Sequence, residues 1–147
     1  MLKKIYNEVT REWDTSVEEA LKSFIRLPAL SPDFDKKWEE NGVLLKALEE
    51  AKAWAEKQGI KGLRCEIIKD DGFTPCLFIE VDATSDKKFE RSVFFYGHLD
   101  KQPPNEGWDP DKSAWEPVIQ NGRLYGRGAV DDLSLIHISE PTRRRGI

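Results

Sequence analysis

The stretch that decides the fold runs from Gly122 to Asp132 and reads GRLYGRGAVDD. The Asn121-Gly122 dipeptide at its start predicts a β-hairpin, because both residues can adopt positive φ. The glycines on either side of Arg127 indicate tight backbone that passes close to another part of the molecule. Two interpretations of its end stay open. Either Asp131 or Asp132 caps a helix N-terminus, or Asp131 delivers a carboxylate whose two oxygens bridge two metal ions.

A second chemistry-bearing motif lies upstream, where a nearly continuous apolar run at Ser92–Gly97 predicts a strand covered on both faces. His98 and Asp100 follow it, and residues i and i+2 of extended backbone project to the same side. An imidazole beside a carboxylate can bind a metal, since the carboxylate fixes the tautomer and orientation of the ring. The alternative is a surface histidine near a solvated aspartate.

The remainder of the chain predicts helices followed by strands, which indicates an α/β layered domain. Residues 1–30 predict a helix with a capping box at Ser16–Glu19, and Pro28 stops it. A second helical segment extends from Ser31 to about Gly59, weakened at Gly42. The strand-like runs are Leu63–Lys69, Pro75–Val81, Trp115–Ile119 and Arg123–Tyr125.

Composition excludes several classes of protein. The 147 residues include 23 basic and 27 acidic side chains, a net charge of −4 that argues against non-specific nucleic-acid binding. No apolar run is long enough for a transmembrane helix, and the first residues lack the apolar part of a signal peptide. The two cysteines, Cys65 and Cys76, are expected to be buried thiols in a reducing compartment. We therefore expect a cytoplasmic protein without membrane or nucleic-acid partners.

Four blocks, in this order and spacing, resemble the metal-binding core of the zinc-dependent exopeptidases. They are Tyr96–Asp100, Gly107–Asp109, Trp115–Pro117 and Gly122–Asp132. That family includes carnosinase and cytosolic dipeptidases, glutamate carboxypeptidase, aminoacylase and succinyl-diaminopimelate desuccinylase. The Gly-Trp-Asp and Leu-Tyr-Gly-Arg-Gly segments are most similar to the dipeptidase branch.

The resemblance implies a fold and a set of roles. The implied fold is the N-terminal part of a zinc-exopeptidase-like α/β catalytic domain, incomplete here, with helices packed on a mainly β central sheet. His98 matches the first zinc-ligand histidine, Asp100 the catalytic-site aspartate that orients it, and Asp131 the aspartate that bridges two zinc ions. Lys101 stands where relatives often carry an apolar residue, and we expect it to alter only the rim of the site.

The end of the chain departs from the family. Leu133–Arg143 matches, codon for codon, the translation of a transposase-type sequencing adapter. We therefore expect residues 1–132 to be the N-terminal portion of the catalytic domain and residues 133–147 to be a non-native tail. His137 is then no metal ligand. The family's glutamate general base, its remaining zinc ligands and its lid domain with the dimer contacts are expected to be missing.

The resemblance implies that the parent protein is a two-zinc metallopeptidase that hydrolyses a peptide bond of a small peptide, and that this fragment is inactive. It also implies a homodimer formed through the lid domain. Two alternatives remain. One is an N-acyl amino acid amidohydrolase with the same metals and a different pocket. The other is a non-catalytic binding domain that retains the fold.

Overall fold

The computed structural model describes residues 2–83 and 93–130, which form helices followed by short strands. In chain order the elements are α1 (Leu2–Glu12), a π-helical turn (Trp13–Val17), α2 (Glu18–Arg26), α3 (Trp38–Asn41), α4 (Val43–Lys57), β1 (Leu63–Ile68), β2 (Cys76–Val81), β3 (Val118–Gln120) and β4 (Arg123–Tyr125). This mixed architecture confirms the predicted α/β class.

The first helical segment is continuous from α1 through the π-helical turn to α2, and it ends two residues before Pro28, as predicted. The predicted capping box is wrong. Ser16 lies inside the π-helical turn, and α2 begins after Val17 without a side-chain cap. The Ser16 hydroxyl instead accepts a hydrogen bond from Trp54 Nε1 at 3.0 Å. The chain is already helical where it reaches Ser16, so the amides of α2 follow a helical turn and have no free helix start to cap.

The second predicted helical segment is divided into α3 and α4 by Gly42, which adopts the left-handed conformation at φ 68°. Its helical part ends at Lys57, close to the predicted end. The apolar core lies where α4 meets the residues that follow α2. The buried members are Leu27, Ala29, Leu44 and Ala47, and the partly buried Phe24, Trp38 and Val43 pack against them. This core sits directly beside the segment that carries His98, as described below.

The strands form two antiparallel hairpins among the described residues. β1 pairs with β2 in a register that places Cys65 opposite Ile79, and α4 packs against β1. β3 pairs with β4 through Asn121 and Gly122, whose φ angles of 53° and 71° confirm the predicted hairpin turn. The β3–β4 hairpin is therefore set by its local turn residues.

The predicted buried strand at Ser92–Gly97 is wrong for its described part. Residues 93–97 form no strand, and the side chains of Val93, Phe94, Phe95 and Tyr96 are between 60% and 79% exposed. A strand buried on both faces needs neighbouring strands and covering layers. Within residues 2–83 and 93–130, each strand pairs only inside its own hairpin, so none of them flanks this run.

Two expectations about individual features are also settled. Both cysteines are free thiols, but Cys76 is exposed and Cys65 only partly buried, so the prediction of two buried thiols is wrong. The reason is that each lies on a two-stranded hairpin, which leaves much of its surface to solvent. In the part of the chain that the structure describes, no helix has the length and apolar character needed to cross a membrane.

Candidate metal-binding site

His98 and Asp100 lie side by side in the segment that follows the exposed apolar run. The His98 Nδ1 atom is 3.2 Å from Asp100 Oδ1 and 3.0 Å from the backbone oxygen of the same residue. Both acceptors favour a proton on Nδ1, which selects one tautomer of the neutral ring. With the side chains 38% and 36% exposed, the pair is open to solvent. This arrangement resembles that of a metal-ligand histidine oriented by a carboxylate.

Lys101, the next residue, has a buried charged side chain, and the residue is 1% exposed. Its Nζ atom donates hydrogen bonds to the backbone oxygens of Leu27 at 2.7 Å, of Ile25 at 3.3 Å, and of Phe24. The last carbonyls of an α-helix have no partner within the helix, so a lysine ammonium can cap them. The expectation that Lys101 lies at the rim is wrong, because its ammonium donates to backbone oxygens at the buried end of α2.

Aromatic rings complete the surroundings of this ammonium. Nζ lies 3.9 Å from the centroid of the Phe24 ring and 5.6 Å from that of the Trp115 ring. Cation–π contacts of this kind stabilise a desolvated ammonium. Burial nevertheless lowers the pKa of Lys101 to about 8. The side chain is therefore held by good contacts at the cost of taking its charge out of water.

The backbone of Lys101 is anchored as firmly as its side chain. Its N–H donates to the oxygen of Ala29 at 2.8 Å, and its carbonyl accepts from the N–H of Ser31 at 3.0 Å. These bonds form a parallel bridge to Leu30. The segment that carries His98 and Asp100 is thus joined to the chain just after α2.

The turn at Gly126–Gly128 packs on the same place. A Cβ atom at Gly126 would lie 2.5 Å from Ile25 Cγ2, and one at Gly128 would lie 2.9 Å from Lys101 Cε. The N–H of Arg127 donates to the Ala114 oxygen at 2.7 Å. The prediction that this turn passes close to another part of the molecule is confirmed.

The structure therefore gathers three segments at the end of α2: that end itself, the residues after His98, and the glycine turn. Asp131, the predicted bridging ligand, lies outside the described residues. Its distance to His98 and its role stay a prediction, as do the roles of His98 and Asp100. Within residues 2–83 and 93–130, no group of three or more histidine, cysteine, aspartate or glutamate side chains could hold a metal ion.

Sequence reasoning missed the anchoring role of Lys101, although a sign of it was present. Helix α2 ends just before Pro28, which has no N–H, so the oxygens at this end can accept further hydrogen bonds from a distant donor. Among the described residues, Trp108 Nε1 and Arg127 Nε are buried without a hydrogen-bond partner. Nothing in the sequence pattern predicts that these two atoms are buried.

Comparison with known proteins finds a family whose model matches part of this chain. Residues 94–139 match the family model of "Peptidase family M20/M25/M40", a segment that contains His98, Asp100 and Asp131. The match continues past Asp132, so the predicted boundary between residues 132 and 133 stays a prediction.

Individual relatives match the chain over short stretches. Over 37 residues, the chain is 57% identical to the succinyl-diaminopimelate desuccinylases of Acidiphilium cryptum and Sphingopyxis alaskensis, which covers 25% of this chain and 9% of each relative. Over 35 residues, it is 51% identical to the "Putative dipeptidase YtjP" of Bacillus subtilis, covering 24% of this chain and 7% of that relative. The matched stretch therefore spans less than a tenth of each of these three proteins.

Proposed function

We propose, from the membership of residues 94–139 in peptidase family M20/M25/M40, that this chain contributes part of the active site of a zinc-dependent peptidase. The substrate in this proposal is a small peptide, of which one peptide bond is hydrolysed. The observation that supports it best is the imidazole of His98 held 3.2 Å from the carboxylate of Asp100, inside the matched segment. A similarity to YtjP over 35 residues favours the dipeptidase type.

The side chains of His98 and Asp131 would supply some of the ligands that a zinc ion needs. His98 would bind through Nε2, since Nδ1 faces the carboxylate Oδ1 and the backbone oxygen of Asp100. Asp131 would bridge two ions. When bound, two zinc ions polarise a substrate carbonyl and lower the pKa of a bridging water. The contribution of Asp100 is to keep the proton on Nδ1 and hold the ring in one orientation. The proposal assigns the role of general base to no glutamate among the described residues.

The 147-residue chain by itself is proposed to be inactive and to bind zinc weakly. A catalytic zinc takes about three protein ligands and a water molecule, and the described residues hold no cluster of three candidate ligands. The test is hydrolysis of a set of dipeptides by the purified chain after zinc is added. Turnover that disappears with a chelator and in His98→Ala would refute the proposed inactivity.

A second candidate function is removal of an acyl group from an N-acyl amino acid. The 57% identity to two succinyl-diaminopimelate desuccinylases favours it, because those names describe removal of a succinyl group. The substrate-contacting residues that would separate the two candidates lie outside the matched stretch.

The deciding experiment starts from the source DNA. Reading the gene past the codon of Asp132 shows whether native codons encode residues 133–147. If they do, the hypothesis that this tail comes from a sequencing adapter is refuted. The protein encoded by the intact gene is then assayed on dipeptides and on N-succinyl and N-acetyl amino acids, with His98→Ala as the inactive control. Faster hydrolysis of dipeptides supports the proposal, faster deacylation supports the second candidate, and activity on neither supports a non-catalytic domain.

Two further parts of the proposal concern the whole protein. We propose a cytoplasmic enzyme that forms a homodimer through a lid domain, with no nucleic-acid or membrane partner. Sedimentation of the protein from the intact gene tests the dimer, and a monomer at all concentrations would contradict it.

A further inference from the structure

We propose that Lys101 is a positioning residue, which fixes the His98–Asp100 pair against the C-terminal end of α2. Five hydrogen bonds support this proposal, three from the ammonium and two from the backbone of Lys101, and all of them reach residues 24–31. The family model matches the segment around Lys101, whose side chain departs from the apolar residue that the resemblance leads us to expect there.

A single rigid peptide group connects the anchoring contacts of Lys101 to the imidazole of His98. The carbonyl of Asp100 and the N–H of Lys101 belong to the same planar unit. That carbonyl lies 3.0 Å from His98 Nδ1, while the N–H donates to the Ala29 oxygen at 2.8 Å. Fixing Lys101 therefore fixes the backbone oxygen that orients the histidine ring.

The side chain of Lys101 donates hydrogen bonds that an apolar residue could not donate. An apolar side chain of similar length could fill the space beside Phe24 and Gly128, but it could not donate to the oxygens at the end of α2. The oxygens of Phe24 and Leu27 would keep only the bonds that they accept from the N–H groups of Leu27 and Ala29. Burying a charge is costly, and such groups can be retained because they specify one arrangement. Lys101 thus contributes to the geometry of the site more than to overall stability.

The proposal rests on the function proposed above only where it assumes that the His98–Asp100 pair binds zinc. The contacts of Lys101 with residues 24–31 form without a metal ion. The test is therefore made on the metal-free 147-residue chain. His137→Gln leaves His98 as the only histidine, because the sequence contains two. The ¹⁵N shifts of the imidazole then report which ring nitrogen carries the proton.

We expect the Nδ1–H tautomer to dominate when Lys101 is present. In Lys101→Met, the ratio of Nδ1–H to Nε2–H tautomer should fall by about tenfold, as expected for the loss of one well-placed hydrogen bond. Lys112→Met is the matched control. Lys112 is also buried, with a side chain 7% exposed, and its ammonium pairs with Asp109 and lies 4.9 Å from the Tyr125 ring centroid. An unchanged tautomer ratio in Lys101→Met, or an equal change in Lys112→Met, would overturn the proposal.

A second measurement applies if Lys101→Met fails to fold, and it uses the chain with Lys101 intact. The ammonium hydrogens of Lys101 should exchange with solvent slowly and show nuclear Overhauser contacts to the Phe24 ring. The amide hydrogens of Lys101 and Ser31 should be protected as well. Exchange as fast as that of an exposed lysine would refute the anchor. Absence of zinc binding by the protein from the intact gene would refute the proposed function and leave the anchor intact.

Discussion

The Nζ atom of Lys101 lies 3.9 Å from the centroid of the Phe24 ring, so a buried ammonium sits on an aromatic face beside the last carbonyls of α2. Burial lowers its pKa to about 8 from an ordinary value of 10.5. Between these values the folded chain releases the proton while the unfolded chain still binds it. The free energy of unfolding should therefore rise as the pH increases from 8 to 10.5.

Thermal unfolding followed by circular dichroism at several pH values tests this prediction. Lys101→Met should lack the rise that the unaltered chain shows above pH 8. Lys112→Met should keep it, because hydrogen bonds to Asp109 and Asp111 raise the pKa of Lys112 instead. Parallel curves for the unaltered chain and Lys101→Met would contradict the prediction.

The contact between Gly128 and Lys101 gives a second prediction. Gly128→Ala should destabilise the fold, since the new Cβ atom would lie 2.9 Å from Lys101 Cε and 3.3 Å from Phe24 Cε1. Gly107→Ala is the matched control, because Gly107 has nearly the same φ, 84° against 85°, and nothing within 4 Å of its Cβ position. We expect Gly128→Ala to cost about 1–3 kcal/mol more than the control.

Chemical denaturation of the two variants measures this difference. Combining Gly128→Ala with Lys101→Ala should remove much of the additional cost, because the nearest atom is then gone. Equal costs for Gly128→Ala and Gly107→Ala would mean that the turn does not pack on Lys101.

The bond from Trp54 Nε1 to Ser16 Oγ, 3.0 Å long, gives a third prediction. Ser16→Ala should lower the free energy of unfolding by about 0.5–1.5 kcal/mol, the usual worth of one hydrogen bond. Trp54→Phe keeps an aromatic ring and removes the donor, so the double variant should cost less than the two single costs together.

A capping box at Ser16 would give a different result. It predicts coupling between Ser16 and Glu19 and none between Ser16 and Trp54. The structure instead pairs Glu19 with Lys22 at 2.9 Å, so Glu19→Gln should not couple to Ser16→Ala. Coupling to Glu19 would restore the capping interpretation.

Features encoded by neighbouring residues could be predicted from the sequence. Pro28 marks the end of the first helical segment, Gly42 the break before α4, and Asn121-Gly122 the hairpin, since each acts through the φ angles that it permits or forbids. The proximity of His98 and Asp100 could also be predicted, because the two residues are only two positions apart.

Features that depend on distant contacts could not be predicted. The apolar run at Val93–Tyr96 has the composition of a buried strand, but burial depends on what covers it, and composition does not reveal that. Likewise, the inward position of Lys101 depends on the end of α2, more than 70 residues earlier in the sequence. Such contacts cannot be predicted from a local pattern, because their residues lie far apart in the sequence.

The exposed run at Val93–Tyr96 leads to a fourth prediction. Four adjacent large apolar side chains, 60–79% exposed, should promote self-association. Phe94→Lys should therefore reduce association, measured by light scattering over a range of concentrations, without lowering the melting temperature. Phe73→Lys is the control, because Phe73 is 70% exposed but lies outside this run. An equal effect of both variants would mean that added charge, and not loss of the run, raises solubility.

The fifth prediction separates the two histidines of the chain as zinc ligands. Zinc should raise the melting temperature of the 147-residue chain only when its concentration greatly exceeds that of the protein, since binding stabilises by an amount set by the ratio of free ligand to Kd. His98→Gln should abolish this rise, whereas His137→Gln should leave it unchanged if residues 133–147 are a non-native tail. Asp100→Asn should weaken it, because an amide cannot replace the negative charge that faces Nδ1. A rise that depends on His137 and not on His98 would contradict both the ligand assignment and the interpretation of the tail.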